Sequence, residues 1–146
     1  MKTLQSFLLA SIAIAFIFSG CKKKDSTTDI TPSHTTLISK TWKIDKVFLD
    51  GMAMTPEEIA MDEGGTNVTN TFTTDGTFLF SLTDSTGTVQ SGSGKWVFVN
   101  NETGINIFDI PGTAAETSTI ITLTADHLSY WHMDSGKKME MYWILK

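Results

Sequence analysis

The chain has one cysteine, no arginine and three prolines in 146 residues. Because Cys21 is the single cysteine, no internal disulfide can form, and burial of a core must stabilise the domain by itself. All eleven basic residues are lysine, against sixteen acidic residues, and the net charge is −5. Proteins that bind nucleic acids or phosphates rely on arginine clusters. The composition therefore predicts no nucleic-acid partner, and the excess of acid indicates solubility.

Long apolar runs are also scarce, and the one that stands out is residues 8–18, which ends in Phe18-Ser19-Gly20-Cys21. A membrane-spanning helix needs about 20 apolar residues, so a cleaved export signal fits better than a span. A lone cysteine directly after small residues is typical of bacterial lipoproteins. We therefore predict a lipoprotein signal peptide at residues 1–20 and acylation of Cys21, palmitate included. An ordinary secretory signal is the alternative.

The next segment, residues 21–36, is predicted to be a lipidated flexible tether. It contains three lysines followed by Ser, Thr, Asp and Pro, with too little apolar content to fold. Membrane lipid would be its partner through the acylated Cys21. We expect the protein to be lipid-anchored to a bacterial envelope membrane, and we expect this to be the outer membrane. The sequence leaves both the periplasmic and the surface face open.

Residues 37–146 are predicted to form one all-β domain. Runs rich in Val, Ile, Thr and aromatic residues alternate with tight turns, without intervening helices. Such a pattern predicts an antiparallel up-and-down meander, and eight strands can close into a barrel with room for side chains or one small ligand. The strands are predicted at 42–49, 67–73, 77–83, 88–99, 105–110, 119–124, 127–133 and 138–145.

One short helix is predicted in the first long loop, Gly51–Thr66. Thr55-Pro56-Glu57-Glu58 provides an N-cap, a first-turn proline and first-turn acids. We expect the helix to reach about Met61 and to stop at Gly64-Gly65. This loop is the candidate lid of the barrel.

Two hairpins predict which side chains face inward. A bulged turn at Asp75-Gly76 gathers Phe72, Phe78 and Phe80 on one face. A Ser135-Gly136 turn brings six residues to one interior face: Leu128, Tyr130, His132, Met139, Met141 and Trp143. The glycines in Ser91-Gly92-Ser93-Gly94 are interpreted as a kink or bulge that lets a long strand turn a barrel corner.

Several segments resemble one family. Leu37 to Ile44 (LISKTWKI) resembles the opening strand of the lipocalin-like domains of Bacteroidetes lipoproteins, and Phe72 to Phe78 (FTTDGTF) is similar to their second hairpin. Gly94-Lys95-Trp96 resembles their mid-barrel strand and Ile121 to Leu128 (ITLTADHL) their late hairpin. Lys40 departs from the pattern, which usually has glycine there. The resemblance implies an eight-stranded lipocalin-like barrel that can hold a small apolar molecule, and it implies no reaction.

The sequence contains no arrangement typical of a catalytic site. His127 and His132 are five residues apart on one strand, so they face opposite sides and cannot share a metal along it, and His34 lies in the tether. No nucleophile elbow and no phosphate-binding glycine loop occurs. We therefore predict no enzyme activity, no metal site and no cofactor.

The leading hypothesis is a lipid-anchored binding module for a small hydrophobic ligand in the cell envelope. Its candidate ligand-binding residues are Phe72, Phe78, Phe80, Trp96, Phe98, Tyr130 and Trp143. The alternative is a non-catalytic envelope or surface interaction protein whose barrel is filled by these aromatic side chains; the sequence identifies no protein partner for it. Interior volume separates the two, since a cavity of about 300 Å³ or more supports ligand binding.

Overall fold

A computed structural model describes residues 31–109 and 116–146 of the chain. The predicted signal peptide, Cys21 and most of the predicted tether lie outside the described residues. No helix in the described ranges is long and apolar enough to cross a membrane.

The described residues form nine strands and two short helices. The helices are α1 (His34–Ile38) and α2 (Pro56–Asp62). The strands are β1 (Thr41–Leu49), β2 (Met52–Ala53), β3 (Thr66–Phe72), β4 (Thr77–Thr83), β5 (Val89–Val99), β6 (Gly104–Asp109), β7 (Glu116–Leu123), β8 (His127–Asp134) and β9 (Lys137–Leu145). The eight predicted strands are confirmed, and the structure adds α1 and the two-residue β2.

The sheet closes into an antiparallel barrel. Strands β3 to β9 pair with their neighbours in chain order, and β1 pairs with both β3 and β9. β2 pairs only with the end of β1, through Phe48↔Ala53 and Leu49↔Met52. The fold is therefore a closed eight-stranded meander with one extra short strand, and closure leaves the barrel strands without a free edge.

Register shifts occur in three strands of the barrel. They lie between Ile44 and Lys46 in β1, within Thr66–Thr69 in β3, and between Ile120 and Thr122 in β7. Such bulges increase local twist and bend a strand, which helps a sheet to close on itself. By contrast, β4 and β5 pair without a shift from Thr77↔Lys95 to Thr83↔Val89. The bulge predicted at Ser91–Gly94 is therefore wrong.

Both predicted hairpin registers are confirmed. Phe72 pairs with Phe78 and Asn70 with Phe80, and Gly76 at the turn has a φ of +80°. In the last hairpin Leu128 pairs with Trp143 and Tyr130 with Met141. All six residues predicted for the interior face of that hairpin are buried.

The register gives the barrel two distinct ends. At one end, called the α1 end here, lie α1, the start of β1 and the turn between β3 and β4. At the other, the α2 end, lie α2, the start of β3 and the turns that follow β4 and β8. Helix α2 begins as predicted, with a capping box in which the Glu58 N–H donates to Thr55 Oγ1 at 3.2 Å and the Thr55 N–H donates to Glu58 Oε2 at 2.7 Å.

The α1 end of the barrel is sealed by packing. Ile38, the last residue of α1, and Trp42 of β1 have no solvent exposure, and Trp42 Nε1 donates to the Ile38 carbonyl oxygen at 2.9 Å. Lys40, at the position of the expected glycine, donates a hydrogen bond to the Ala125 carbonyl, and its Nζ lies 5.8 Å from the centre of the Trp42 ring. The lysine thus covers the tryptophan from outside and links the turn between β7 and β8 to the start of β1.

Candidate ligand-binding site

A cavity of about 250 Å³ lies in the barrel interior. Its walls come from β3, β4, β6, β7, β8 and β9, and Glu63, which follows α2, also contributes. The lining positions extend from Phe78, near the α1 end of β4, to Leu82 and His132, which lie near the α2 ends of their strands. The cavity is partly open to solvent.

Apolar side chains form most of the wall. They alternate along their strands with outward residues, as the period of two requires. The apolar lining residues are Val68, Phe78, Phe80, Leu82, Ile107, Met141 and Trp143.

Five further lining residues carry polar groups. Asn70, Ser118 and His132 are buried, with 8%, 2% and 8% exposure, and Tyr130 is buried at 3%. Glu63 is the remaining member of this set. A pocket that combines apolar walls with a few polar groups has the character of a small-molecule site.

The seven predicted ligand-binding residues divide into two groups. Phe78, Phe80, Tyr130 and Trp143 line the cavity. Tyr130 and Trp143 are stacked there, with ring centroids 6.1 Å apart at an interplanar angle of 21°. These four were predicted to face inward, and the structure brings them together around one space.

The other three predicted residues fill the barrel toward the α1 end and do not line the cavity. The Trp96 ring meets Phe72 edge-on at a centroid distance of 5.5 Å, and Phe98 at 5.2 Å. Trp96 Nε1 also donates to the Thr73 carbonyl oxygen at 3.0 Å, which fixes the indole. These aromatic side chains form a packed cluster, the aromatic plug. Edge-to-face contact is a favourable arrangement of aromatic rings, so the three rings stabilise one another.

The predicted lid contributes to the site in part. Met54 and Ile59 of this loop pack against the core, and Glu63 lines the cavity. Met52 and Met61 of the same loop point into solvent, at 72% and 75% exposure.

Sequence reasoning did not single out Val68, Asn70, Ile107 and Ser118, four of the lining residues. Asn70 lies two positions before Phe72 on β3 and therefore shares its inward face, so strand periodicity could have revealed it. Ser118 lies on β7, which begins at Glu116 but was predicted to begin at residue 119, three positions too late.

Surface hydrogen bonds displace several pKa values outside the cavity. Hydrogen bonds from Thr86 and then Gln90 lower the pKa of Asp84 to about 2. On the outer face of β9, hydrogen bonds from Lys138 and Tyr142 lower the pKa of Glu140, and the Glu140 carboxylate raises the pKa of Tyr142. Within residues 31–109 and 116–146, no three His, Cys, Asp or Glu side chains are grouped so as to hold a metal ion.

A family model described as a lipocalin-like domain matches residues 38–130 of the chain. The chain belongs to the lipocalin-like domain family. The match includes the strands that form most of the cavity wall, so the site described above lies in the family's own domain.

Two solved structures are similar to this chain. A lipocalin-like protein from Bacteroides uniformis ATCC 8492 is 15% identical, with a TM-score of 0.53 over 71% of this chain and 96% of that protein. An uncharacterized protein from Bacteroides eggerthii DSM 20697 is 12% identical, with a TM-score of 0.49 over 72% and 98% of the two chains. At such identities the first likeness shows the fold alone. No curated protein matches the sequence.

Proposed function

We propose that this chain is a membrane-anchored lipoprotein whose lipocalin-like barrel binds a small hydrophobic ligand in the cell envelope, without catalysing a reaction. The observation that carries the proposal is the interior cavity of about 250 Å³, which seven apolar and five polar residues line. Its volume is slightly below the lower end of ordinary ligand pockets, about 300 Å³. The cavity therefore suits a ligand smaller than those that ordinary ligand pockets hold.

Ligand binding is tested by native mass spectrometry of the full-length protein after mild extraction from membranes. We expect a co-purified apolar molecule of low mass. Ser118→Phe would fill the cavity from β7 and remove the bound species, whereas Ser93→Phe, at an exposed position on β5, would retain it. Val68→Phe is a second cavity-filling variant should Ser118→Phe fail to fold. Retention of the same species by a folded cavity-filling variant would contradict binding in the barrel.

The membrane anchor is proposed from Cys21 and the apolar run before it. Two or more acyl chains hold a protein on a bilayer stably, at about 0.8 kcal/mol per buried methylene. Cys21→Ser should therefore release the domain from membranes or leave an unprocessed precursor. Unchanged membrane attachment of a processed Cys21→Ser protein would refute the anchor while leaving ligand binding intact.

A second candidate function is a non-catalytic envelope interaction protein with a filled barrel. The packed cluster of Phe72, Trp96 and Phe98 supports it, because these inward aromatic side chains occupy the barrel toward the α1 end. For this candidate the expected outcome is a protein that emerges from mild extraction with no bound small molecule.

A further inference from the structure

The cavity wall carries buried polar groups that an apolar ligand alone would not satisfy. Asn70 on β3 and Ser118 on β7 are 8% and 2% exposed, and both line the cavity. Trp143 is 2% exposed, and its Nε1 donor has no hydrogen-bond partner among the described residues. Buried amide and hydroxyl groups are costly unless they are hydrogen-bonded. A ligand with a polar group of its own, set among these side chains, meets that requirement.

The charges around the cavity restrict the kind of polar group. The lining residues within 31–109 and 116–146 include one carboxylate, that of Glu63, and no lysine or arginine. His132 is the one lining side chain in this set that can become cationic by protonation. A carboxylate ligand would therefore lose its hydration without a lysine or arginine to pair with, which is unfavourable in a protein interior.

The volume of the cavity restricts the size of the ligand. At about 30 Å³ per water molecule in the liquid, 250 Å³ corresponds to roughly eight non-hydrogen atoms. The aromatic plug of Phe72, Trp96 and Phe98 blocks extension toward the α1 end, so a longer chain could only extend toward the α2 end.

We propose that the ligand is a small neutral amphiphile of roughly eight non-hydrogen atoms in all, an apolar body with one hydroxyl, amide or carbonyl group, and not a fatty-acid anion. This inference rests on the proposed ligand-binding function and specifies its substrate class. The polar group lies beside Asn70 or Ser118, and the apolar body contacts Phe78, Phe80 and Met141.

The test compares octan-1-ol with octanoate, which share a chain and differ in the charge of the head group. Binding to the full-length lipidated protein in detergent is followed by tryptophan fluorescence and calorimetry at about pH 8, where an ordinary histidine is neutral. We expect octan-1-ol to bind and octanoate to bind about tenfold or more weakly. Equal or tighter binding of octanoate would overturn this inference and leave ligand binding standing. Absence of binding by both compounds would overturn ligand binding itself.

Variants locate the polar contact. Ser118→Ala should weaken the binding of octan-1-ol severalfold, because the ligand loses a hydrogen-bond partner. Ser93→Ala, on the exposed face of β5, is the matched control. Asn70→Leu, which removes the amide at nearly constant volume, should act in the same direction. Unchanged affinity in both Ser118→Ala and Asn70→Leu would refute the assigned polar contact.

Discussion

The ring of Phe80 lies directly against the backbone of Gly92, its paired residue on the neighbouring strand. A Cβ at Gly92 would lie 2.3 Å from Cε1 and 2.7 Å from Cζ of that ring, well inside van der Waals contact. Phe80 also lines the cavity. The absence of a side chain at Gly92 therefore sets the position of the Phe80 ring, and the ring forms one wall of the cavity. Gly92 lets the Phe80 ring approach the backbone of β5 closely, and β5 remains regular around it.

Gly92→Ala should therefore destabilise the protein and change ligand binding together. The added methyl group forces the Phe80 ring to move, and overpacking of this kind costs about 1–3 kcal/mol. Because Phe80 lines the cavity, displacement of its ring should change the shape of the cavity and the affinity for octan-1-ol. Chemical denaturation measures the first effect and octan-1-ol titration the second.

The control for this variant is Ser91→Ala, at an exposed neighbouring position on β5. The double variant Gly92→Ala, Phe80→Ala should recover part of the lost stability relative to the sum of the single changes, because the clash is then absent. Strictly additive free energies of unfolding would show that the two residues are not coupled.

A comparison of two tryptophans measures how much a buried hydrogen bond contributes to the free energy of unfolding. Trp42 and Trp143 are both almost fully buried, at 0% and 2% exposure, but only Trp42 Nε1 has a partner, the Ile38 carbonyl. Trp42→Phe removes that bond and leaves the Ile38 carbonyl with the Lys40 N–H, at 2.7 Å, as its donor, whereas Trp143→Phe removes a donor that has no described partner. We expect Trp42→Phe to lower the free energy of unfolding by about 1 kcal/mol more than Trp143→Phe.

Urea denaturation of the ligand-free variants gives this difference directly. Both substitutions remove the same atoms, so the transfer term is common to them and cancels in the comparison. A larger loss for Trp143→Phe than for Trp42→Phe would mean that packing at the cavity outweighs the hydrogen bond at the α1 end.

Strand periodicity was sufficient to predict the barrel and its inward aromatic residues. Side chains alternate strictly along a strand, so a correct hairpin turn places Phe72 with Phe78, and Tyr130 with Met141, without further information. The turn residues Gly76 and Gly136 have left-handed φ values and mark those hairpins in the sequence.

Other features depend on side-chain packing across the barrel and were not predictable in this way. A glycine at position 92 is equally compatible with a bulge and with an aromatic ring opposite it, and only the β4–β5 register decides between them. Whether Trp96 and Phe98 line a cavity or fill the barrel depends on how side chains from several strands pack together.

The outer face of β9 offers a spectroscopic prediction. Tyr142 donates a hydrogen bond to Glu140 Oε2 at 3.1 Å, and this contact raises the pKa of Tyr142 above its ordinary value of 10.0. Glu140→Gln removes the negative charge that opposes phenolate formation, so the pKa of Tyr142 should fall toward that value.

The protein has two tyrosines, so Tyr130→Phe provides a background in which Tyr142 alone titrates. Ultraviolet absorbance of the phenolate reports the pKa in this background, with and without Glu140→Gln. Glu57→Gln on α2 is the control for the general loss of one negative charge. An unchanged Tyr142 titration in the Glu140→Gln protein would contradict the contact.

The turn between β4 and β5 predicts how stability changes in acid. Asp84 Oδ1 accepts hydrogen bonds from Thr86 Oγ1 at 2.6 Å, from the Thr86 N–H at 2.9 Å and from the Thr88 N–H at 3.0 Å. These bonds favour the ionised carboxylate and lower its pKa from 3.8 to about 2 in the folded protein. A lowered folded-state pKa means that the contribution to stability is present above the unfolded value and is lost as the pH falls through the folded value.

Asp84→Asn should therefore lower the Tm near neutral pH, by a small amount because the turn is exposed to solvent. The difference in Tm from the unsubstituted protein should persist down to about pH 4 and then shrink as the pH approaches 2, because the native carboxylate is itself protonated there. Asp62→Asn at the end of α2 changes the net charge equally without touching this turn, and its Tm should not follow the same acid dependence. A difference between the Asp84→Asn and unsubstituted proteins that stays constant through acid pH would show that the charge on Asp84 does not stabilise the turn.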